Sequence, residues 1–91
     1  MAIVCVHGPL KQLTGGVSEH PVDGNTVCAL LGAFERENPS LGGWILDERG
    51  LIRRHINVFV NGELGRGDTP VHAQDRIEVL PAISGGADDD D

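Results

Sequence analysis

The stretch His55-Ile56-Asn57-Val58-Phe59-Val60-Asn61-Gly62 decides the fold. Its apolar residues alternate: Ile56, Val58 and Val60 fall on one face, and Asn57, Phe59 and Asn61 on the other. That period of two marks a half-buried strand. Asn61-Gly62 closes it with a tight-turn signal, because both residues tolerate the left-handed backbone that a two-residue hairpin needs. Downstream, Gly65 to Gln74 reads as loop, with Asp68-Thr69-Pro70 as a further turn. Arg76 to Leu80 then forms a last strand, with Ile77 and Val79 inward, Glu78 and Leu80 outward, and Pro81 ending regular structure. Upstream, Val27, Leu30, Leu31 and Phe34 recur at helical spacing. The pattern predicts a helix over roughly residues 26 to 38, capped by Asn25 or Thr26 and stopped by Pro39.

The first part of the chain supplies the remaining strands. Ala2 to Val6 holds a continuous apolar run, as in a strand buried on both faces. Gly8 and Pro9 end it, Lys11 to Gly16 reads as loop, and Val17 to Val22 as a more polar strand forming a hairpin with the first. Asp23-Gly24-Asn25 turns into the helix. Trp44-Ile45-Leu46 is expected to anchor the long crossover that follows. The order is strand, strand, helix, strand, short strand, strand. It implies an α+β protein of the β-grasp class: a mixed sheet of four to five strands, one main helix on one face, and the first and last strands parallel at the centre.

Composition narrows the function. A chain of 91 residues makes one domain, and a domain this short buries only about 60% of its unfolded surface. Little room remains for an internal active-site cavity. The net charge is −7, with seven Lys and Arg against fourteen Asp and Glu. Four of those acids are the run Asp88 to Asp91; setting them aside leaves ten against seven, a balance of −3. No basic stripe points to nucleic acid. No stretch approaches the roughly 20 apolar residues of a membrane span. Cys5 and Cys28 are far apart and unpaired in spacing, and no leader pattern opens the chain, so the expectation is a cytoplasmic protein with reduced thiols.

The second half of the chain then carries a resemblance. Arg53-Arg54-His55-Ile56-Asn57-Val58-Phe59-Val60-Asn61-Gly62-Glu63, Asp68-Thr69-Pro70-Val71 and Arg76-Ile77-Glu78-Val79-Leu80-Pro81-Ala82-Ile83-Ser84-Gly85-Gly86 resemble the ubiquitin-like sulfur carriers. These include the molybdopterin synthase small subunit, the thiamin-pathway carrier and the thiocarboxylate carriers of cysteine synthesis. Leu13-Thr14-Gly15-Gly16 and Gly24-Asn25-Thr26-Val27 match as well, so the likeness covers residues 2 to 86. The Pro-Ala-x-x-Gly-Gly ending after a strand is its specific part.

The resemblance implies a mechanism. A ubiquitin-activating-type enzyme uses ATP to adenylate the carboxylate of Gly86, and a sulfur donor converts it to a thiocarboxylate. That sulfur then passes to a sulfur-accepting enzyme for biosynthesis of an amino acid, cofactor or specialised metabolite. Such a carrier needs no catalytic side chain, no metal and no bound cofactor. It needs a thin arm, here Pro81, Ala82, Gly85 and Gly86; the glycines lack a Cβ and permit close backbone approach, and Pro81 has no N–H with which to extend the sheet. The chain divides into a domain over 1–81, an arm over 82–86 and an acidic extension over 87–91. While Ala87 follows Gly86 there is no carboxylate to activate, so a zinc-dependent protease is expected to cut between Gly86 and Ala87, as in relatives with similar extensions. Alternatives are the molybdopterin synthase subunit, a ubiquitin-like protein modifier joined to lysines, and an interaction domain whose Gly85-Gly86 is a spacer.

Several side chains carry a plain and a functional reading. Phe59 and Leu80 lie opposite the core faces of their strands and are expected to be exposed as a docking patch, with Arg53 and Arg54 as its polar rim. Cys5 fits a core strand as a small apolar residue. Cys28, next to a helix N-terminus, is a candidate for a lowered thiol pKa. His7, His20, His55 and His72 have no metal-ligand spacing.

Overall fold

The computed structural model describes residues 1–81. Strand β1 (Ala2–Val6) leads through a short helix α1 (Pro9–Leu13) to β2 (Glu19–Val22). The main helix α2 (Val27–Glu37) and a 3-10 turn (Pro39–Leu41) follow, then β3 (Ile56–Val60), β4 (Glu63–Leu64) and β5 (Arg76–Pro81). The sheet runs β2-β1-β5-β3-β4. β1 and β5 pair in parallel at its centre and every other pair is antiparallel, which is the expected β-grasp arrangement.

One core holds the layers together. Val27, Leu30, Leu31 and Phe34 of α2 are fully buried. They share an apolar cluster with Val4 and Val6 of β1, Ile56 and Val58 of β3, and Ile77 and Val79 of β5. Phe34 sits with its ring centroid 5.0 Å from that of His20. Thr26, the second of the two expected caps, starts α2: its Oγ1 accepts from the Ala29 N–H at 3.2 Å. Asn61 and Gly62 both take positive φ, 51° and 88°, so the β3–β4 hairpin closes in two residues, as their side chains allow.

Four local expectations are corrected. The segment expected as loop from Lys11 is partly helical, because Pro9 at the first position presets φ for α1 and Leu10 buries completely. One turn is too short to show periodicity. The second strand begins at Glu19 rather than Val17, since Thr14 Oγ1 donates to the Val17 carbonyl and holds Val17 in the preceding turn. Of the three crossover anchors, Ile45 and Leu46 are buried but Trp44 is 46% exposed. The crossover is instead pinned by Glu35 of α2, whose Oε2 accepts the N–H groups of Ile45 and Leu46, both at 3.0 Å.

Pro81 stands inside β5, opposite Ile56, rather than beyond it. The register explains how. The Asn61 N–H donates to the Arg76 carbonyl and the Arg76 N–H to Asn61 Oδ1, so in the alternating antiparallel ladder 59/78 and 57/80 are the bonded pairs. Position 81 then directs its N away from β3, on the side where β1 has already ended at Val6 opposite Val79. The missing donor costs the ladder nothing there.

Emptying the helix side of the core should show how much rests on it. Phe34→Ala removes the largest fully buried side chain, and such truncations typically cost about 3–5 kcal/mol. Urea unfolding should show a lower midpoint with an unchanged slope, and a midpoint equal to that of the parent would contradict this account of the core.

Candidate functional site

The face of the sheet away from α2 is divided in two. Its residues alternate with the core set: Glu19 and Pro21 on β2, Ile3 and Cys5 on β1, Arg76, Glu78 and Leu80 on β5, Asn57 and Phe59 on β3, and Leu64 on β4. Around Cys5 the face carries an ionic group from β2 and β5. Arg76 Nη2 meets Glu19 Oε2 at 2.9 Å, with Glu78 Oε2 3.9 Å from Arg76 Nε. Cys5 is buried beneath this group. Burial raises its thiol pKa above the ordinary value, and only the Arg76 charge opposes the rise. Cys5 is therefore a neutral packing residue, as its strand position implied.

Over β3 and β4 the same face is apolar. Phe59 and Leu80 are half-buried rather than exposed as expected. Register accounts for the difference: Leu64 lies directly opposite Phe59, and Leu80, paired with Asn57, is diagonal to it. Cross-strand neighbours at these positions lie within reach of one another. Leu64, 69% exposed, is the residue that sequence reasoning missed. The signal was present, because a two-residue Asn61-Gly62 turn fixes residue 63 opposite 60 and residue 64 opposite 59.

Arg53 lines a recess together with Asn57 and Leu64 of this face, and Arg54 lines another with Asp47, Arg49 and His55. Arg53 and Arg54 precede β3, at the end of the sheet where β5 ends. Arg54 is exposed; Arg53 is half-buried, with an Nε that finds no hydrogen-bond partner among the described residues. Pro81, the last described residue, is opposite Ile56, one position from His55. Ala82, Gly85, Gly86 and Ala87, the expected arm and cleavage site, lie outside the described residues.

Cys28 behaves opposite to its expectation. The N–H groups of Val27 and Cys28 donate to the carbonyls of Thr69 and Gly67 at 3.0 and 2.9 Å, so the helix terminus has none to spare for a thiolate. The approach is close enough that a Cβ on Gly67 would collide with Cys28 Sγ. The thiol donates to the Gly50 carbonyl at 3.3 Å. Burial raises its pKa, and the charges of Asp68 and Asp47 raise it further.

The ThiS family model matches residues 4–86. The chain belongs to the ThiS family. This is a family of ubiquitin-like sulfur carriers and modifiers, small carrier proteins rather than enzymes. Small archaeal modifier protein 1 of Haloferax volcanii is 35% identical to this ThiS-family chain over 66 residues, 71% of this chain and 76% of that protein. A chain of the Amycolatopsis orientalis BexX/CysO complex superposes with a TM-score of 0.83 at 28% identity, covering 94% of this chain and all of that one. Mycobacterium tuberculosis CysO superposes at 0.80 with 25% identity, over 91% of this chain and all of that one. No helix among the described residues is long and apolar enough to cross a membrane.

The thiol assignment is open to a direct check. A raised pKa lowers the thiolate fraction, and the thiolate is the reactive form. Alkylation of Cys28 should therefore be slow at pH 7 and still be rising above pH 9, the ordinary value. Asp68→Asn should speed it at fixed pH by removing a charge that disfavours the thiolate. A rate that levels off below pH 8 would contradict the assignment.

Proposed function

We propose that this ThiS-family protein is a sulfur carrier that works through a thiocarboxylate on Gly86 after proteolytic removal of Ala87–Asp91. The observation that carries this reading is the extent of the family match. It ends at Gly86, the second glycine, and leaves Ala87-Asp88-Asp89-Asp90-Asp91 outside.

The chemistry follows from the carboxylate. It is a poor electrophile because its negative charge and resonance resist attack. In the activating partner, the Gly86 carboxylate attacks the α-phosphorus of ATP and pyrophosphate leaves. Hydrosulfide then attacks the acyl-adenylate carbon and AMP leaves, so that one oxygen of Gly86 is replaced by sulfur. The carrier contributes no catalytic side chain to these steps. The domain over 1–81 offers the half-buried Phe59 and Leu80, with Leu64, as the docking surface, and residues 82–86 reach the partner's site.

The partners in this reading are an adenylating enzyme, a zinc-dependent protease and a sulfur-accepting enzyme, all in the cytoplasm. The Haloferax relative, named as a modifier, favours a second use of the same intermediate. A lysine Nζ in place of hydrosulfide would form an isopeptide bond to Gly86.

Intact-protein mass spectrometry separates the cases. With ATP, the cognate activating enzyme and sulfide, the 91-residue chain should stay unchanged. A chain ending at Gly86 should gain the mass difference of sulfur replacing oxygen. Phe59→Asp in that shortened chain should slow loading by about 30-fold, since losing an interface anchor costs about 2 kcal/mol or more. If the shortened chain never loads where a known carrier does, sulfur transfer is wrong for this protein.

A further inference from the structure

The cationic surface at the exit of β5 has no assigned role. Arg53-Arg54 is the only pair of adjacent cations in the chain. The other described cations with close carboxylates are committed: Arg49 to Asp47 at 2.7 Å, and Arg76 to Glu19 at 2.9 Å. Neither Arg53 nor Arg54 forms an ion pair among the described residues. Arg53 lines the recess beside Asn57 and Leu64 and two further shallow recesses near His55. One of these two, of about 270 Å³, is lined by Gly42, Gly43, Trp44 and His55. The other, of about 300 Å³, is lined by Asp47, Arg49, Ile52, Arg54 and His55. Trp44, 46% exposed, borders the first. This is a concave, cationic surface with an aromatic wall on a domain that is otherwise acidic.

We infer that this surface binds the chain's own acidic extension, Asp88 to Asp91. Three observations carry the assignment. The charges are complementary: the sequence holds four consecutive aspartates and one adjacent pair of arginines. The tether starts at the right place, because Arg54 and Arg53 are two and three residues from Ile56, which lies opposite Pro81. The tether is long enough: seven residues from Pro81 to Asp88 span up to about 25 Å at about 3.3–3.6 Å each. Short flexible tethers hold such a segment at an effective concentration of order millimolar. A contact between exposed charges that would be negligible between separate molecules is thereby populated.

The contact gives the extension a second effect besides blocking the Gly86 carboxylate. It covers the surface beside the arm in the 91-residue chain, and cleavage after Gly86 uncovers it. The inference concerns binding within the chain, and it stands whether or not Gly86 carries sulfur.

The test compares amide and indole N–H spectra of the full chain with those of the full chain carrying Asp88→Asn, Asp89→Asn, Asp90→Asn and Asp91→Asn. In about 0.01 M salt, where charges act over about 30 Å, the neutral tail should shift the signals of Trp44, Arg53, Arg54 and His55. In about 1 M salt, where that range falls to about 3 Å, the two spectra should coincide at these positions. In an Arg54→Glu background, whose exposed side chain leaves the core untouched, neutralising the tail should no longer shift Trp44 or His55 upon loss of the same contact. Identical low-salt spectra outside the tail would overturn the inference. So would shifts centred on Lys11, Arg36 or Arg66, or shifts unchanged by Arg54→Glu. A difference that grows with protein concentration would place the tail on a second copy and overturn it equally.

Discussion

The structure depends on the parallel pairing of β1 with β5. Residues Ile3, Val4, Cys5 and Val6 meet Arg76, Ile77, Glu78 and Val79 at the centre of the sheet. Parallel neighbours cannot be joined by a tight turn, so the chain must cross over between them. The α2 helix and the pinned segment around Ile45 and Leu46 make up that crossover, and their apolar side chains supply the cover for the sheet. The same pairing orients the C-terminus. β5 runs in the direction of β1, so it ends past Val6 and beside the start of β3. The last described residue, Pro81, is thus held at the end of a strand anchored in the centre of the sheet.

That geometry suits a protein whose chemistry takes place at its end. The helix face is closed by an apolar core, the opposite face is closed over Cys5 by Arg76, Glu19 and Glu78, and both thiols are held protonated by their surroundings. The domain offers surfaces rather than reactive groups: an apolar strip on β3, β4 and β5, and a cationic hollow where β5 departs. A carrier has to be recognised and to present a carboxylate, and in the proposed function these surfaces are what a partner would recognise.

The layers of the fold were legible in the sequence because they rest on periodicity. Alternation in 56–60, helical spacing from Val27 to Phe34 and the Asn61-Gly62 turn each have one physical solution, and the structure adopts it. What escaped depends on contacts between distant residues. Helix α1 has a single turn and no period to detect. Glu35 looks like any solvated helix carboxylate until Ile45 and Leu46 present their N–H groups to it. Cys28 has the position of an activated thiol, but the loop carbonyls of Gly67 and Thr69 reach the helix terminus first. Leu64 was readable from the hairpin register, and its exposure enlarges the apolar strip that Phe59 and Leu80 alone would make. The arm residues Ala82 to Gly86 rest on the motif and on the family match that ends there.

The central claim is that sulfur resides on the carboxyl carbon of Gly86 and on no side chain. Locating the sulfur by fragmentation mass spectrometry tests it most directly, in a chain ending at Gly86 with Cys5→Ser and Cys28→Ser, loaded by its activating enzyme. The account predicts loading equal to that of the parent, with the added mass confined to the C-terminal fragment containing Gly86. Loss of loading in the folded, cysteine-free chain, or a sulfur found on Cys5 or Cys28 in the parent, would contradict it.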